Sequence, residues 1–299
     1  MYNLFDYKKD FKKASFFLKQ ANDLIYKNIN PNLFDDQKEF SIYKEVFAKN
    51  ITKNNLQENN DGFVLTPIFI VGMPRSGSSL VEHILGYYKE IENLGEVDYL
   101  FRAIKNFYKT LDLNNFSEKI SRSLQSDDDA KQIRNLYLKH FSSNKLYFTD
   151  KMLTNFRFIG FIKYCFPNAK IIYCKRNKSD NCFSIYSNHL GQHSLPWVYN
   201  ERALLKYYDL HLDIMEHWLK IYKNDIFEID YDYFVMNYKS EAVKMIKFIG
   251  IEWNDLCLDT KLNHTIVKTA SYNQVRADIY SNHINYSKNY YNFLPDLFN

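Results

Sequence analysis

One segment constrains the fold of this chain more than any other, because an apolar run leads directly into a loop with two glycines five positions apart. From Ile68 to Leu80 the sequence is I-F-I-V-G-M-P-R-S-G-S-S-L. Gly72 and Gly77 have the spacing of the phosphate loop G-x-x-x-x-G-K-[ST], which joins a strand to a helix. Such a loop binds phosphate through backbone N–H groups and the positive end of the following helix. The segment therefore predicts a strand, a phosphate-binding loop and a helix, in that order.

The loop lacks the lysine that this pattern places after its second glycine. Ser78 and Ser79 stand where an ATP or GTP enzyme has Lys and then Ser or Thr, and that lysine is a point charge on the β- and γ-phosphates. Its absence argues against ordinary phosphoryl transfer and points toward transfer of a sulfuryl group. The candidate phosphate or phosphosulfate ligands are Arg75, Ser76, Gly77, Ser78 and Ser79. A serine-rich helix N-cap after a turn proline is the alternative interpretation.

Beyond the loop, short apolar segments alternate with helical patterns. The alternation predicts an α/β fold, a P-loop-like three-layer domain in which a central, mostly parallel sheet is flanked by helices on both faces. In such sheets, ligands bind beyond the carboxyl ends of the strands. The predicted strands are 67–72, 91–96, 145–149, 170–174 and 226–231. The predicted helices are 78–88, 97–110, 130–141, 156–165, 179–188, 201–222 and 239–249.

Two helices are predicted ahead of the loop. Apolar residues recur at helical spacing over 10–27, and a second helix is predicted over 35–48. Together they resemble one tetratricopeptide-type helical hairpin, and the lack of a second copy excludes a repeat array. The Asn-rich stretch 50–62 is the predicted linker. We therefore expect a short N-terminal helical hairpin and linker over residues 1–60 and a catalytic domain over residues 61–299.

Composition excludes several classes of function. The 299 residues are 46% hydrophobic and 25% charged, which is ordinary for a globular protein. A net charge of +4 suits a small polyanion and does not favour nucleic acid as a partner. The four cysteines form no C-x-x-C pair, so we expect reduced core thiols and no metal site. No apolar run approaches the length of about 18 residues that spans a bilayer, and the N-terminus has no signal-peptide pattern, so we expect a cytoplasmic protein.

Four further residues with useful chemistry lie at or after predicted strands. Arg176 closely follows the strand 170–174, and Ser184 lies two turns into the next helix. The pair is therefore placed to hold one phosphate, although each alone is commonplace. Lys151 follows another strand, where it would stabilise charge on a leaving phosphate, and a solvated loop lysine is the alternative. Glu96 ends a short apolar segment and is a candidate general base, with a helix N-terminal role as the alternative.

Several ordered motifs at consistent spacing are more specific than any one of them. They are V-G-M-P-R-S-G-S-S-L-V-E, L-G-E at Glu96, T-D-K-M at Lys151, F-P-N-A-K-I-I-Y-C-K-R-N at Arg176, E-I-D-Y-D-Y-F at Tyr231 and K-T-A-S-Y-N-Q-V-R ending at Arg276. Over nearly the whole chain, this order resembles the sulfotransferases that use 3′-phosphoadenosine-5′-phosphosulfate (PAPS). It is most similar to the tyrosylprotein-sulfotransferase-like branch, which includes bacterial members with tetratricopeptide repeats.

The resemblance implies a role for each matching position. The implied catalytic residues are Glu96 as general base, Lys151 as stabiliser of the leaving group and Ser271 as a donor beside the sulfuryl group. The implied cofactor-binding residues are Arg75, Ser76, Gly77, Ser78 and Ser79 at the 5′-phosphosulfate, Arg176 and Ser184 at the 3′-phosphate, and Tyr231, Gln274, Arg276 and Lys288. The implied reaction is in-line sulfuryl transfer to a hydroxyl or amine, with release of 3′-phosphoadenosine-5′-phosphate (PAP) and no need for a metal.

The chain departs from this family in having a single helical hairpin ahead of the catalytic domain. A protein-tyrosine substrate is therefore not carried over, because the concave surface of a full repeat array is absent. The expected acceptor is a small molecule, a saccharide or a peptide, and the aromatic segment Leu195–Tyr199 is a candidate lining for its pocket. Because family members often dimerise, the resemblance also implies a homodimer.

Two other interpretations remain. A P-loop kinase or NTPase would use Ser79 and Asp150 to hold magnesium, but the missing loop lysine argues against it. A non-catalytic scaffold protein would keep the nucleotide site without turnover and would use the hairpin to dock a partner.

Overall fold

The structure is a computed structural model that describes residues 1–28, 33–50, 64–109, 115–190, 195–259 and 284–298. It contains a five-stranded sheet in the order β2-β3-β1-β4-β5. The strands are β1 (Thr66–Gly72), β2 (Ile91–Asn93), β3 (Tyr147–Asp150), β4 (Lys170–Lys175) and β5 (Ile226–Asp230). All four pairings of these strands are parallel. The predicted α/β fold with a parallel central sheet is therefore confirmed.

The strand order places a topological switch point beside β1. After β1 the chain crosses to β2 at one edge and returns through β3, and it then passes β1 to form β4 and β5 on the other side. The loops that follow β1 and β4 consequently meet at the carboxyl end of the sheet, where ligands bind in folds of this kind. The pairing of Gly72 with Cys174 near the carboxyl ends of β1 and β4 fixes the register of these two strands.

Helices cover both faces of the sheet and give three layers. Side chains alternate along β1, so that Phe69 and Val71 lie in one core cluster while Ile68 and Ile70 lie in the other. The second, smaller cluster is covered mainly by α4 and α12, and the first by the remaining large helices. The helices are α1 (Tyr2–Tyr7), α2 (Phe11–Tyr26), α3 (Leu33–Asn50), α4 (Ser78–Leu85), α5 (Tyr99–Tyr108), α6 (Phe116–Ser123), α7 (Asp127–Leu138), α8 (Ile159–Cys165), α9 (Lys178–Tyr186), α10 (Glu201–Ile221), α11 (Tyr231–Met236) and α12 (Tyr238–Ile249).

Several predicted boundaries are corrected by the structure. The segment predicted as one helix over 156–165 is a 3-10 helix at Leu153–Phe158 followed by α8. Tyr231, predicted at a strand end, is the first residue of α11, because Asp230 caps that helix by accepting from the Tyr233 N–H. The helices α1, α6 and α11 were not predicted, since six to eight residues are too few for a helical periodicity to stand out.

The N-terminal helices pack directly on the α/β body. Phe47 of α3 lies against Gly160 of α8. A Cβ added at Gly160 would lie 2.5 Å from the Phe47 ring. Phe40 packs edge-to-face on Phe156 at a centroid distance of 5.8 Å. Residues of α2 and α3 thus belong to the same core cluster as the sheet. The division at residue 60 stays a prediction.

The four cysteines are free and buried, which confirms the prediction of core thiols. Over the ranges that the structure describes, no helix is both long enough and apolar enough to cross a membrane.

Candidate active site

The loop between β1 and α4, residues Gly72–Ser79, is named here the glycine loop. Gly72 has a φ of 145°, and a Cβ there would lie 2.3 Å from the Cys174 carbonyl oxygen. Gly77 has a φ of 93°, and a Cβ would lie 2.2 Å from Cδ2 of Tyr231. Both positions thus combine a left-handed backbone with a contact that leaves no room for a side chain. The two glycines of the motif are required by this geometry.

The serines of the glycine loop are buried around the start of α4. Gly77 occupies the N-cap position, and no side chain caps the helix, so the alternative of a serine N-cap is wrong. Ser76 is 1% exposed, and within the described chain its hydroxyl has no hydrogen-bond partner. A buried hydroxyl of this kind requires a partner, and Ser76 directly precedes Gly77, the N-cap of α4. The loop therefore fits an anion held by backbone N–H groups and hydroxyls.

Two arginines meet beside the glycine loop. Nε of Arg75 donates to the Ser184 hydroxyl at 3.2 Å, and Nη1 of Arg176 donates to the Arg75 carbonyl oxygen at 3.4 Å. Burial lowers the pKa of Arg75, and the positive charge of Arg176 lowers it further. The predicted residues from β1–α4 and β4–α9 are thus brought together. Two guanidinium groups that approach each other from neighbouring loops favour the binding of an anion with several oxygen atoms.

Neighbouring side chains fix the position of Arg176. Its guanidinium carbon lies 5.1 Å from the centroid of the Tyr231 ring, and its Nε lies 3.8 Å from the Asp232 carboxylate. Tyr208 donates to the Arg176 carbonyl oxygen at 3.3 Å. The next residue, Asn177, caps α9 by accepting from the Asp180 N–H. The chain therefore turns into α9 immediately after the arginine.

Asn181 and Asp232 are site residues that the sequence analysis missed. The Asn181 side chain donates to the Pro74 carbonyl oxygen at 2.8 Å, and this bond ties α9 to the glycine loop. The position of Asn181, three residues before Ser184 on the same helix, was an available signal, because residues at this spacing share a helix face. Asp232 follows Tyr231 at the start of α11, and no sequence pattern connected it with Arg176.

Lys151 is buried between two carboxylates. Its Nζ donates to Glu96 at 2.7 Å and lies 3.6 Å from Glu82. The backbone N–H of Lys151 also donates to the Gly95 carbonyl oxygen at 2.9 Å, which holds the segment after β2 against the end of β3. The Lys151 side chain is 1% exposed and that of Glu96 is 50% exposed. The two predicted catalytic residues are therefore in contact at the carboxyl end of the sheet.

Glu82 is a second carboxylate that the sequence analysis quoted in a motif without assigning it a role. It lies one turn after Ser79 on α4 and is 5% exposed. Burial raises its pKa, while the positive charge of Lys151 acts in the opposite direction. An acidic residue on the otherwise largely apolar helix S-S-L-V-E-H-I-L was the available signal.

The Asp150 carboxylate is held by three hydrogen-bond donors. It accepts from the Tyr137 hydroxyl at 2.9 Å, the Met152 N–H at 2.9 Å and the Asn155 side chain at 3.2 Å. Burial raises its pKa to about 7. Because three donors already occupy these oxygens, Asp150 is placed as a structural hub and not as the magnesium ligand that a kinase would need.

The remaining predicted residues are not part of this described constellation. Ser271, Gln274 and Arg276 lie outside the described residues. Lys288 is exposed on the 3-10 helix Tyr286–Tyr290, which is tied to α9 because Asp180 accepts from the Ser287 N–H at 2.9 Å. Their roles stay predictions. Where the structure describes the chain, it contains no group of three or more His, Cys, Asp or Glu arranged to hold a metal ion.

Comparison with known proteins gives one family match. The sequence model of the sulfotransferase family matches residues 67–255, which is more than half of the chain. An uncharacterized protein of Aquifex aeolicus is 28% identical over 302 residues, and the match covers 98% of this chain and 39% of that protein. This chain thus spans about two fifths of the length of that relative.

Two solved structures are similar at low sequence identity. Sulfotransferase STF9 from Mycobacterium avium is 13% identical with a TM-score of 0.46, over 84% of this chain and 80% of that one. The sulfotransferase domain of the Synechococcus PCC 7002 olefin synthase is 13% identical with a TM-score of 0.43, over 78% of this chain and 97% of that one.

Proposed function

The chain belongs to the sulfotransferase family, and we propose that it transfers a sulfuryl group from PAPS to a hydroxyl or amine of an acceptor and releases PAP. The observation that carries this proposal is the meeting of Arg75 and Arg176 beside the glycine loop, with the Ser76 hydroxyl buried and without a hydrogen-bond partner in the described chain. Paired guanidinium groups, a helix N-terminus and small hydroxyl side chains suit a ligand with two separate phosphate groups.

We assign the two ends of the donor to the two sides of this constellation. The glycine loop would hold the 5′-phosphosulfate through its N–H groups and the hydroxyls of Ser76, Ser78 and Ser79. Arg176 and Ser184 would hold the 3′-phosphate. The Tyr231 ring lies against Gly77 and under the Arg176 guanidinium, so it joins both ends and would border the nucleotide.

Lys151 and Glu96 would carry out the transfer. The bound donor supplies the sulfuryl group and a phosphate that leaves when its bridging S–O bond breaks. Lys151 would stabilise the negative charge that develops on that bridging oxygen, an effect worth several kcal/mol in a site from which water is excluded. Glu96 would accept the proton of the acceptor as the new bond to sulfur forms. Its half-exposed side chain is the member of the pair that an acceptor can reach.

The remaining assignments follow from the family resemblance. Ser271 would donate to the sulfuryl group, and Gln274, Arg276 and Lys288 would complete the nucleotide site. The acceptor would be a small molecule, a saccharide or a peptide, bound on the solvent side of Glu96. A homodimer is part of the same proposal.

Two rival functions make different predictions. A kinase or NTPase needs a magnesium ligand at the end of β3, and Asp150 already accepts three hydrogen bonds there. A non-catalytic scaffold does not need a buried lysine in contact with a half-exposed carboxylate. The Lys151–Glu96 contact therefore favours an enzyme over a scaffold.

The direct test is transfer of label from ³⁵S-labelled PAPS to a panel of phenols, sugars, amines and tyrosine peptides in EDTA. The proposal predicts labelled product with at least one acceptor class, together with one PAP for each transfer. Lys151→Met should abolish most of the product, while Lys175→Met, which removes an exposed lysine paired with Glu228, should leave it unchanged. If the protein transfers no label, or requires magnesium for transfer, the proposed function is wrong.

A further inference from the structure

Glu82 is the second carboxylate beside Lys151. Its Oε2 lies 3.6 Å from the lysine Nζ, and its Oε1 has no hydrogen-bond partner within the described chain. The side chains of Glu82 and Lys151 are 7% and 1% exposed. A buried carboxylate that lacks a full set of donors is costly to keep, so its presence needs an explanation beyond packing.

The charged surroundings of this pair are few. Glu96 approaches Lys151 from the segment after β2, and Asp150 directly precedes Lys151 at the end of β3. The Cys174 thiol, on β4, lies close enough to Lys151 for the lysine charge to act on it. Burial raises the pKa of Cys174 and of Asp150, which favours their neutral forms. Burial raises the pKa of Glu82 as well, but the positive charge of Lys151 opposes that rise. Within the described chain, Glu82 and Lys151 therefore form a buried ion pair.

The two carboxylates differ in their freedom to move. Glu96 lies on the short connection after β2 and is half-exposed, so it is the carboxylate that can turn toward solvent and leave the buried Lys151. Glu82 is fixed on α4, the helix that begins at the glycine loop, and every residue of that helix is buried. When Glu96 turns to an acceptor hydroxyl, Glu82 remains within the described chain as a carboxylate paired with Lys151.

We infer that Glu82 is a positioning residue, which holds the Lys151 ammonium at the glycine loop while Glu96 leaves it to accept the acceptor proton. The inference rests on the proposed function. This role explains why a carboxylate is buried at position 82, on the helix that begins at the glycine loop. It also explains how one lysine contacts a general base in the resting protein and a leaving group during transfer.

The test compares kcat, the KM for PAPS and the Kd for PAP in wild-type protein and in Glu82→Gln, which keeps the shape and removes the charge. The inference predicts that kcat falls by about 10²-fold, as expected for a misplaced catalytic group, while the Kd for PAP changes by less than about threefold. Glu82→Asp should recover at least a tenth of the wild-type kcat, because it restores the charge. Glu228→Gln, the matched change in an exposed Lys–Glu pair, should have no effect.

A double-variant cycle separates action through Lys151 from a general structural role. In the Lys151→Met background, adding Glu82→Gln should leave the residual kcat unchanged. It should also raise the Tm, because Lys151→Met leaves a buried charge without its partner and the second change removes that charge. A Glu82→Gln effect on kcat of the same size in both backgrounds would overturn the inference.

The outcomes distinguish this inference from the proposed function. If the wild-type protein transfers sulfuryl groups and Glu82→Gln does so equally fast, the inference fails and the function stands. If the wild-type protein transfers none, the function fails and the inference fails with it. If Glu82→Gln does not fold, the Glu82→Asp variant decides. A Glu82→Asp protein with a wild-type Tm and a kcat below a tenth of wild type would contradict a role that depends on the charge of residue 82.

Discussion

The candidate site has two ends, which differ in the charged side chains that they bring together. At the first end, named here the gripping end, Arg75 and Arg176 lie together, and Nε of Arg176 is 3.8 Å from the Asp232 carboxylate. At the transfer end, one lysine, Lys151, lies between the carboxylates of Glu82 and Glu96. The gripping end thus brings two guanidinium groups together, which suits a bound anion, and the transfer end pairs one ammonium with two carboxylates. Under the proposed function, the gripping end would bind the donor, and the transfer end would move a proton and stabilise developing charge.

The strongest test of this contrast is removal of the lysine. Lys151→Met should lower kcat by about 10³-fold, because the charge on the leaving oxygen loses its stabiliser in a buried site. The affinity for PAP should fall by less than about tenfold, since the gripping end is intact. Steady-state kinetics and calorimetric titration of PAP measure the two quantities, and Lys175→Met is the control. A large loss of PAP affinity with an unchanged kcat would reverse the roles of the two ends.

The complementary change removes the second arginine. Arg176→Ala should weaken PAP binding by about 10²-fold, because charge-assisted hydrogen bonds to phosphate are lost. It should weaken binding of AMP, which lacks the 3′-phosphate, much less. Titration of both ligands into both proteins gives the comparison. If the variant loses PAP and AMP affinity equally, Arg176 does not recognise the 3′-phosphate.

The fit of Tyr231 against the glycine loop can be tested with a matched pair of glycines. Gly77 and Gly250 have φ values of 93° and 89°, but a Cβ at Gly77 meets the Tyr231 ring at 2.2 Å while one at Gly250 meets nothing within 4 Å. Gly250→Ala should cost about 1 kcal/mol of unfolding free energy from backbone strain alone. Gly77→Ala should cost about 3 kcal/mol and also weaken PAP binding. Urea unfolding measures both, and equal costs would show that the ring contact is unimportant.

The smallest expected effect concerns Asp150, which supports the transfer end without joining it. Its pKa is raised to about 7 in the folded protein, so the folded state holds a proton that the unfolded state has released by pH 5. The unfolding free energy should therefore decrease between pH 5 and pH 6 by about 1.4 kcal/mol from this group. Asp150→Asn should remove that decrease, because the amide does not titrate. Urea unfolding at the two pH values tests this, and identical slopes in both proteins would contradict it.

The sequence predicted most of the gripping end and only part of the transfer end. The glycine loop could be predicted because strand, loop and helix are contiguous and each glycine has a local reason. The relation between Lys151 and Glu96 came from a family resemblance, since only pairing of β2 with β3 brings the two together. Glu82 was missed because its partner is far along the chain, and a single acid on a helix has many ordinary explanations. The part of the site beyond residue 259 stays a prediction.

The most direct measurement of the central claim is calorimetric titration of the wild-type protein with PAP and with ATP, both in EDTA and again with magnesium. A site in which two arginines meet beside the glycine loop, as proposed for a ligand with two separate phosphates, should bind PAP at least about tenfold more tightly than ATP, and magnesium should not improve PAP binding. If ATP binds more tightly, and does so only with magnesium, the account of the gripping end is wrong and a phosphoryl-transfer enzyme takes its place.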